Sequence, residues 1–217
     1  MTVLKMRLSV VVDELFAENA YIAHLEGRDD CLLFDPSFNT EGLAEYLDRE
    51  KLTPAAILNT HGHADHIAGN ADIKRRWPNC PIVIGTVDAQ KLIDPVFNLS
   101  RSYGIDVTSP AADRLVNEGD VYSAAGFDLD VFETPGHSSG HVVFLWKGHS
   151  PWTVFGGDVL FQGSVGRTDF PDGDMDQLAA SIRSKLYTLP DDTVVLPGHG
   201  PPTTVGQEKQ SNPFVRA

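Results

Sequence analysis

The chain has 217 residues, 41% of them hydrophobic and 22% charged, and its 30 Asp and Glu against 17 Lys and Arg give a formal net charge of −13. That composition excludes a disordered chain, and no run approaches the roughly 18 apolar residues needed to cross a bilayer. The acidic surplus repels polyanions and argues against a nucleic-acid partner.

The length fits one domain spanning 1–217. The first dozen residues have no continuous apolar segment and no small-residue cleavage site, so the expectation is a mature, cytoplasmic start. Short apolar stretches bounded by Gly, Pro or Asp predict strands at 9–12, 20–25, 31–34, 55–59, 81–84, 127–133, 141–146, 152–155 and 193–196. Helical spacing appears between them. Leu43 and Leu47 follow an N-cap candidate at Thr40, a second helix runs from Ile67 to Trp77 before Pro78, and Leu178, Ile182 and Leu186 follow Asp174. Three opening strands without a helix predict antiparallel pairing there, and the whole reads as mixed sheets with helices packed outside them. The segment 207–217 reads as a polar tail. Cys31 and Cys80, with no CxxC spacing, read as buried thiols rather than a disulfide or metal pair.

The chemistry concentrates in Thr60-His61-Gly62-His63-Ala64-Asp65-His66-Ile67-Ala68-Gly69, at a predicted strand-to-helix turn. Neutral imidazole and carboxylate are ligands for zinc, iron or manganese, and the HxHxDH spacing sends alternate side chains toward two ions. Three further candidates each follow a strand directly: His137 in Thr134-Pro135-Gly136-His137, Asp158 in Phe155-Gly156-Gly157-Asp158, and His199 in Pro197-Gly198-His199-Gly200. Glycine or proline beside each turns the backbone at the sheet edge, which lets distant side chains converge. His24, His141 and His149 read as structural or surface residues, with His141 also placed to orient a ligand. There is no GxSxG elbow around Ser138 and Ser139, which argues against a serine nucleophile.

The segment 60–69 followed by His137, Asp158 and His199 resembles the five-motif metal signature of the metallo-β-lactamase fold, a four-layer αββα sandwich with metals at one edge of its two sheets. The resemblance implies that His61, His63 and His137 hold one divalent ion, that Asp65, His66 and His199 hold a second, and that Asp158 bridges them. Within that superfamily the bridging Asp158, the loop Gly163-Ser164-Val165-Gly166-Arg167-Thr168-Asp169-Phe170 and the ending Pro197-Gly198-His199-Gly200-Pro201 are similar to short glyoxalase II-like (hydroxyacylglutathione hydrolase-like) proteins. The implied activity is hydrolysis of a small-molecule thioester, such as a lactoyl conjugate of glutathione, by a metal-bound hydroxide, with Asp65 as catalytic residue and two ions, zinc first and iron or manganese as alternatives. Longer glyoxalase II enzymes add a helical domain with glutathione contacts, whereas 18 residues follow His199 here. The same loop resembles iron-dependent persulfide dioxygenases, which are expected to carry Pro-Ala-His-Asp where this chain has Pro-Gly-His-Gly. Arg167 is a candidate for gripping a substrate carboxylate through its planar fork, or else for an ion pair with Asp169 or Asp172 that shapes the loop.

Overall fold

The structure, a computed structural model, describes residues 5–217. In chain order the first half comprises β1 (Met6–Val12), β2 (Asn19–Leu25), β3 (Asp30–Phe34), α1 (Thr40–Glu50), β4 (Thr53–Leu58), α2 (Ala64–Ile67), α3 (Asn70–Arg76), β5 (Ile82–Gly85) and β6 (Arg114–Val116). The second half comprises β7 (Val121–Ala124), β8 (Phe127–Glu133), β9 (Val142–Trp146), β10 (Thr153–Gly157), β11 (Leu160–Phe161), β12 (Ser164–Val165), α4 (Met175–Ser184), β13 (Val194–Pro197), β14 (Thr203–Thr204) and α5 (Val205–Ser211). The first sheet runs β1-β2-β3-β4-β5-β6 and the second β14-β13-β10-β9-β8-β7, with β11 and β12 forming a separate small hairpin. The opening strands pair antiparallel as expected, and β3 to β6 are parallel because α1 and the later crossovers return the chain to the same end.

The two sheets pack face to face. Phe34 of β3 stacks on Phe155 of β10 with ring centroids 3.6 Å apart and meets Phe144 of β9 edge to face at 5.9 Å. Outside the first sheet, Leu43, Leu47 and Ile73 cover Ile22, Leu33 and Ile57, while outside the second, Leu178, Ile182 and Val205 cover Val143, Leu145 and Val195. The layers are therefore αββα, as the resemblance implied. Cys31 and Cys80 are buried free thiols.

Four expectations need correction. The carboxamide of Asn39, not Thr40, caps α1 by accepting the Gly42 N–H at 3.0 Å, while the Thr40 hydroxyl donates to Asp72. The helix expected from Ile67 to Trp77 is two, because the Gly69 N–H leaves the helical ladder and donates to the Pro36 carbonyl at 2.8 Å. Leu186 lies beyond α4, in a 3-10 turn over Leu186–Thr188. The expected tail at 207–217 is packed: α5 extends to Ser211, Val215 is fully buried, and the buried Glu208 accepts from the Thr203 hydroxyl and the Gly163 amide. Its apolar anchors are too few and too far apart to read as a helical stripe.

Candidate metal centre

The chain leaves β4, β8, β10 and β13 at one edge of the two sheets, and the turns after them bring seven side chains together. His61 and His63 lie in the turn after β4, and Asp65 and His66 on the short α2 that follows. His137, Asp158 and His199 follow β8, β10 and β13. Two glycines make the close approach possible. Gly157 has φ +48°, and a Cβ there would lie 2.2 Å from the Thr60 hydroxyl; a Cβ on Gly198 would lie 2.3 Å from Asp158 Oδ1 and 2.6 Å from the His66 ring.

His61, His63 and His137 form one cluster, Asp65, His66 and His199 another, and His61, His66 and Asp158 also lie within reach of one another. His61 Nε2, His63 Nδ1 and His137 Nε2 stand 2.9 to 3.3 Å from one another. His199 Nε2 lies 3.3 Å from Asp65 Oδ2, and His66 Nε2 lies 3.8 Å from the same oxygen. Asp158 sits between the groups, with Oδ2 3.5 Å from both His137 Nε2 and His199 Nε2, and Oδ1 3.5 Å from His66 Nε2.

This donor set fits divalent cations. His137 Nδ1 donates to the Arg167 carbonyl at 2.7 Å, His66 Nδ1 to Asp35 Oδ2 at 3.0 Å, and His61 Nδ1 to the Thr60 hydroxyl at 3.1 Å, itself a donor to Asp35. In neutral His61 and His137 the outer nitrogen carries the proton, so the inner nitrogen presents a lone pair, and the Asp35 contact turns His66 Nε2 inward in the same way. Buried His66 Nε2 and Asp158 Oδ1 have no hydrogen-bond partner, a costly arrangement that a cation relieves. Electrostatics point the same way. Burial holds His61 and His63 well below the ordinary imidazole range. Burial opposes charge on His66 too, but Asp65, Asp158 and Asp35 outweigh it and draw positive charge there.

Several supporting residues lay outside the sequence reading. Asp35, at the end of β3, accepts from Thr60 N at 2.8 Å as well as orienting His66; its position directly after a strand was the available signal. Glu18, fully buried with Oε1 3.7 Å from His66 Nδ1, has its carboxyl raised well above the usual range, chiefly by burial. Asp88 accepts from the amides of Gly62 and Gly140, both at 2.9 Å, and from the Ser138 hydroxyl at 2.5 Å, clasping the His61/His63 turn to the His137 turn. Lys91 joins the clasp through Ser138, Asp88 at 3.0 Å and Asp172 at 2.7 Å. Asp88 and Lys91 lie in a 3-10 segment, Thr86–Leu92, with no motif to mark them. His141 is fully buried; its Nδ1 pairs with the Thr134 hydroxyl and its Nε2 accepts the Asp158 N–H at 3.1 Å, which fixes the strand end carrying Asp158. His149 packs against Trp146 with the rings tilted by 40° and their centroids 4.5 Å apart.

The donors open onto a cavity of about 330 Å³ whose lining includes His63, Asp65, Asp158, His199 and Arg167. Arg167 forms a bidentate pair with Asp169 at 2.7 and 2.6 Å, one of the two loop pairings considered above, whereas Asp172 is held by Lys91.

The sequence profile of the Metallo-beta-lactamase superfamily matches residues 14–199. The chain is 40% identical over 198 residues to YqgX of Bacillus subtilis, described as a probable metallo-hydrolase, covering 91% of this chain and 92% of that protein. It is 34% identical over 215 residues to GloC of Haemophilus influenzae, a hydroxyacylglutathione hydrolase, covering 98% and 99% respectively. Among solved structures, BLEG-1, a B3 metallo-beta-lactamase, superposes with a TM-score of 0.92 at 38% identity, covering 97% of this chain and all (100%) of that one. TTHA1623, solved in a di-iron-bound form, superposes with a TM-score of 0.81 at 36% identity, covering 95% and 100%. The chain belongs to the metallo-beta-lactamase superfamily.

Proposed function

We propose that this member of the metallo-beta-lactamase superfamily hydrolyses small-molecule thioesters of the hydroxyacylglutathione type, in the cytoplasm, with His61, His63, His137, Asp158, Asp65, His66 and His199 holding two divalent ions. The observation that carries the reading is the convergence of these seven side chains at one sheet edge, five of them (His63, Asp65, His137, Asp158 and His199) lining one cavity, with Asp158 equidistant from His137 and His199. The similarity to GloC over nearly the whole of both chains supports the substrate class. Zinc is the ion of first choice; iron and manganese suit the same ligands.

When bound by these seven residues, divalent ions would supply an activated water at neutral pH and a Lewis acid for the acyl carbonyl. The reaction joins the water oxygen to the carbonyl carbon and breaks the C–S bond, giving a carboxylic acid and a thiol. Asp65 lines the cavity and, besides its place among the ligands, holds the attacking hydroxide oriented. The thiolate leaves without a dedicated acid, since a thiol with pKa near 8.5 is far more acidic than an alcohol. The outer partners Asp35, Thr60 and the Arg167 carbonyl keep the imidazoles aimed inward. Arg167, at the cavity mouth, meets an anionic end of the substrate. The test is hydrolysis of S-D-lactoylglutathione by protein of known metal content, comparing wild type with His63→Ala. Turnover that follows metal content and is lost in the variant supports the reading; a fully loaded wild type without turnover contradicts it.

A further inference from the structure

Aromatic side chains begin at the donors themselves. The Phe170 ring lies 5.1 Å from His63 and 6.0 Å from His137, and the Phe161 ring lies 6.2 Å from His199, so the two stand against different donor groups. Farther out, Phe16 and Tyr103 meet edge to face at 5.7 Å, and Ile105 and Leu99 continue the lining. Tyr103 is 55% exposed and Ile105 37%. Lysine and arginine are scarce by comparison. Among the described residues Arg167 is the only Lys or Arg in the lining; its guanidinium is engaged by Asp169, and its Cζ lies 4.3 Å over the Phe170 ring. A substituent next to a carbonyl positioned at the donors therefore meets phenyl rings first and a guanidinium only at the rim.

Building on the thioester-hydrolase reading, we propose that the preferred substrate carries an aromatic or branched apolar acyl group, packed between Phe161 and Phe170 and toward Tyr103 and Ile105. The cavity of about 330 Å³ has the room, since an apolar cavity of about 150 Å³ already holds benzene. Selection comes from apolar contact within the first few ångströms of the reacting carbon, where each added apolar group gives about tenfold or more in discrimination.

The experiment compares S-mandeloylglutathione with S-lactoylglutathione, which share the thiol and the 2-hydroxyl and differ by phenyl for methyl, on metal-loaded protein. Rates are normalised to hydroxide-catalysed hydrolysis, and mandelate and lactate binding are titrated calorimetrically in parallel. The expected result is a kcat/KM at least about tenfold higher for the mandeloyl ester and tighter binding of mandelate, with both preferences reduced in Phe161→Ala and Tyr103→Ala. Hydrolysis of both esters with no mandeloyl preference, or a preference untouched by both variants, overturns the proposal and leaves the hydrolase reading standing. If neither ester is hydrolysed but mandelate still binds more tightly than lactate, the hydrolase reading fails and the wall's selectivity is supported. Equal binding of the acids with no hydrolysis overturns both.

Discussion

Asp65 faces the cavity while touching His199, so its removal separates chemistry from folding. Asp65→Ala is expected to lower kcat by about 10²-fold or more, the cost of misplacing an attacking group, to weaken one ion, and to leave the far-ultraviolet circular dichroism unchanged. Wild-type turnover in that variant contradicts both roles given to the residue. Arg167 makes a different case. Its pair with Asp169 has side chains 57% and 66% exposed, a setting in which an ion pair contributes little stability. Arg167→Ala should raise KM for an anionic thioester several-fold without changing metal content or Tm; an unchanged KM with a lowered Tm assigns Arg167 to loop structure instead. The seven side chains proposed as donors could be picked out in the sequence because each sits in or beside a strand-end turn with Gly or Pro nearby, and the structure brings them together. Asp35 shares the strand-end position but stands alone in sequence, so only the fold reveals that it orients His66.

At the scale of elements, the turn after β4 and the turn after β8 are joined by side chains from the 3-10 segment Thr86–Leu92 and from the loop before α4. Lys91 is nearly buried between Asp88, Asp172 and Ser138. Lys91→Met leaves Asp88 buried without its cation, a loss worth about 3 to 5 kcal/mol, and should weaken metal affinity about 10- to 100-fold through the loosened turns. Denaturant unfolding and metal competition check the two effects. Burial works against ionisation of Asp172, but the Lys91 ammonium and the Ser139 amide outweigh it and hold the carboxyl at about 2. A group depressed on folding stabilises above its unfolded value, near 3.9, and loses that contribution as pH falls toward 2. The acid limb of wild-type stability should therefore be steeper between about pH 4 and 2 than that of Asp172→Asn. Strand positions were largely legible because buried strands read as apolar runs between turn residues. The region between β5 and β6 was not, since its structure is 3-10 turns without a period, and α5 was lost because a seven-residue helix presents too few turns to show one.

Across the whole molecule, the donors divide between the sheets. His61, His63, Asp65 and His66 come from the turn after β4 in the first sheet, and His137, Asp158 and His199 from strand ends of the second. Each proposed ion draws on both sheets, so bound metal would tie them together at that edge. Chelation should lower Tm, and each tenfold rise in free metal above the dissociation constant should add about 1.4 kcal/mol per site; a Tm indifferent to chelator contradicts the placement. The αββα order followed from the resemblance rather than from periodicity, which gave mixed sheets and outer helices but not their stacking. The central claim is a two-ion thioester hydrolase, and the most direct test is to titrate chelated protein with zinc while measuring ions per chain and S-D-lactoylglutathione hydrolysis in the same samples. The account predicts no turnover without metal and a plateau at two ions per chain. Full turnover in chelated protein, or a plateau at one ion, contradicts it; a single iron with oxygen uptake on glutathione persulfide would identify a dioxygenase in its place.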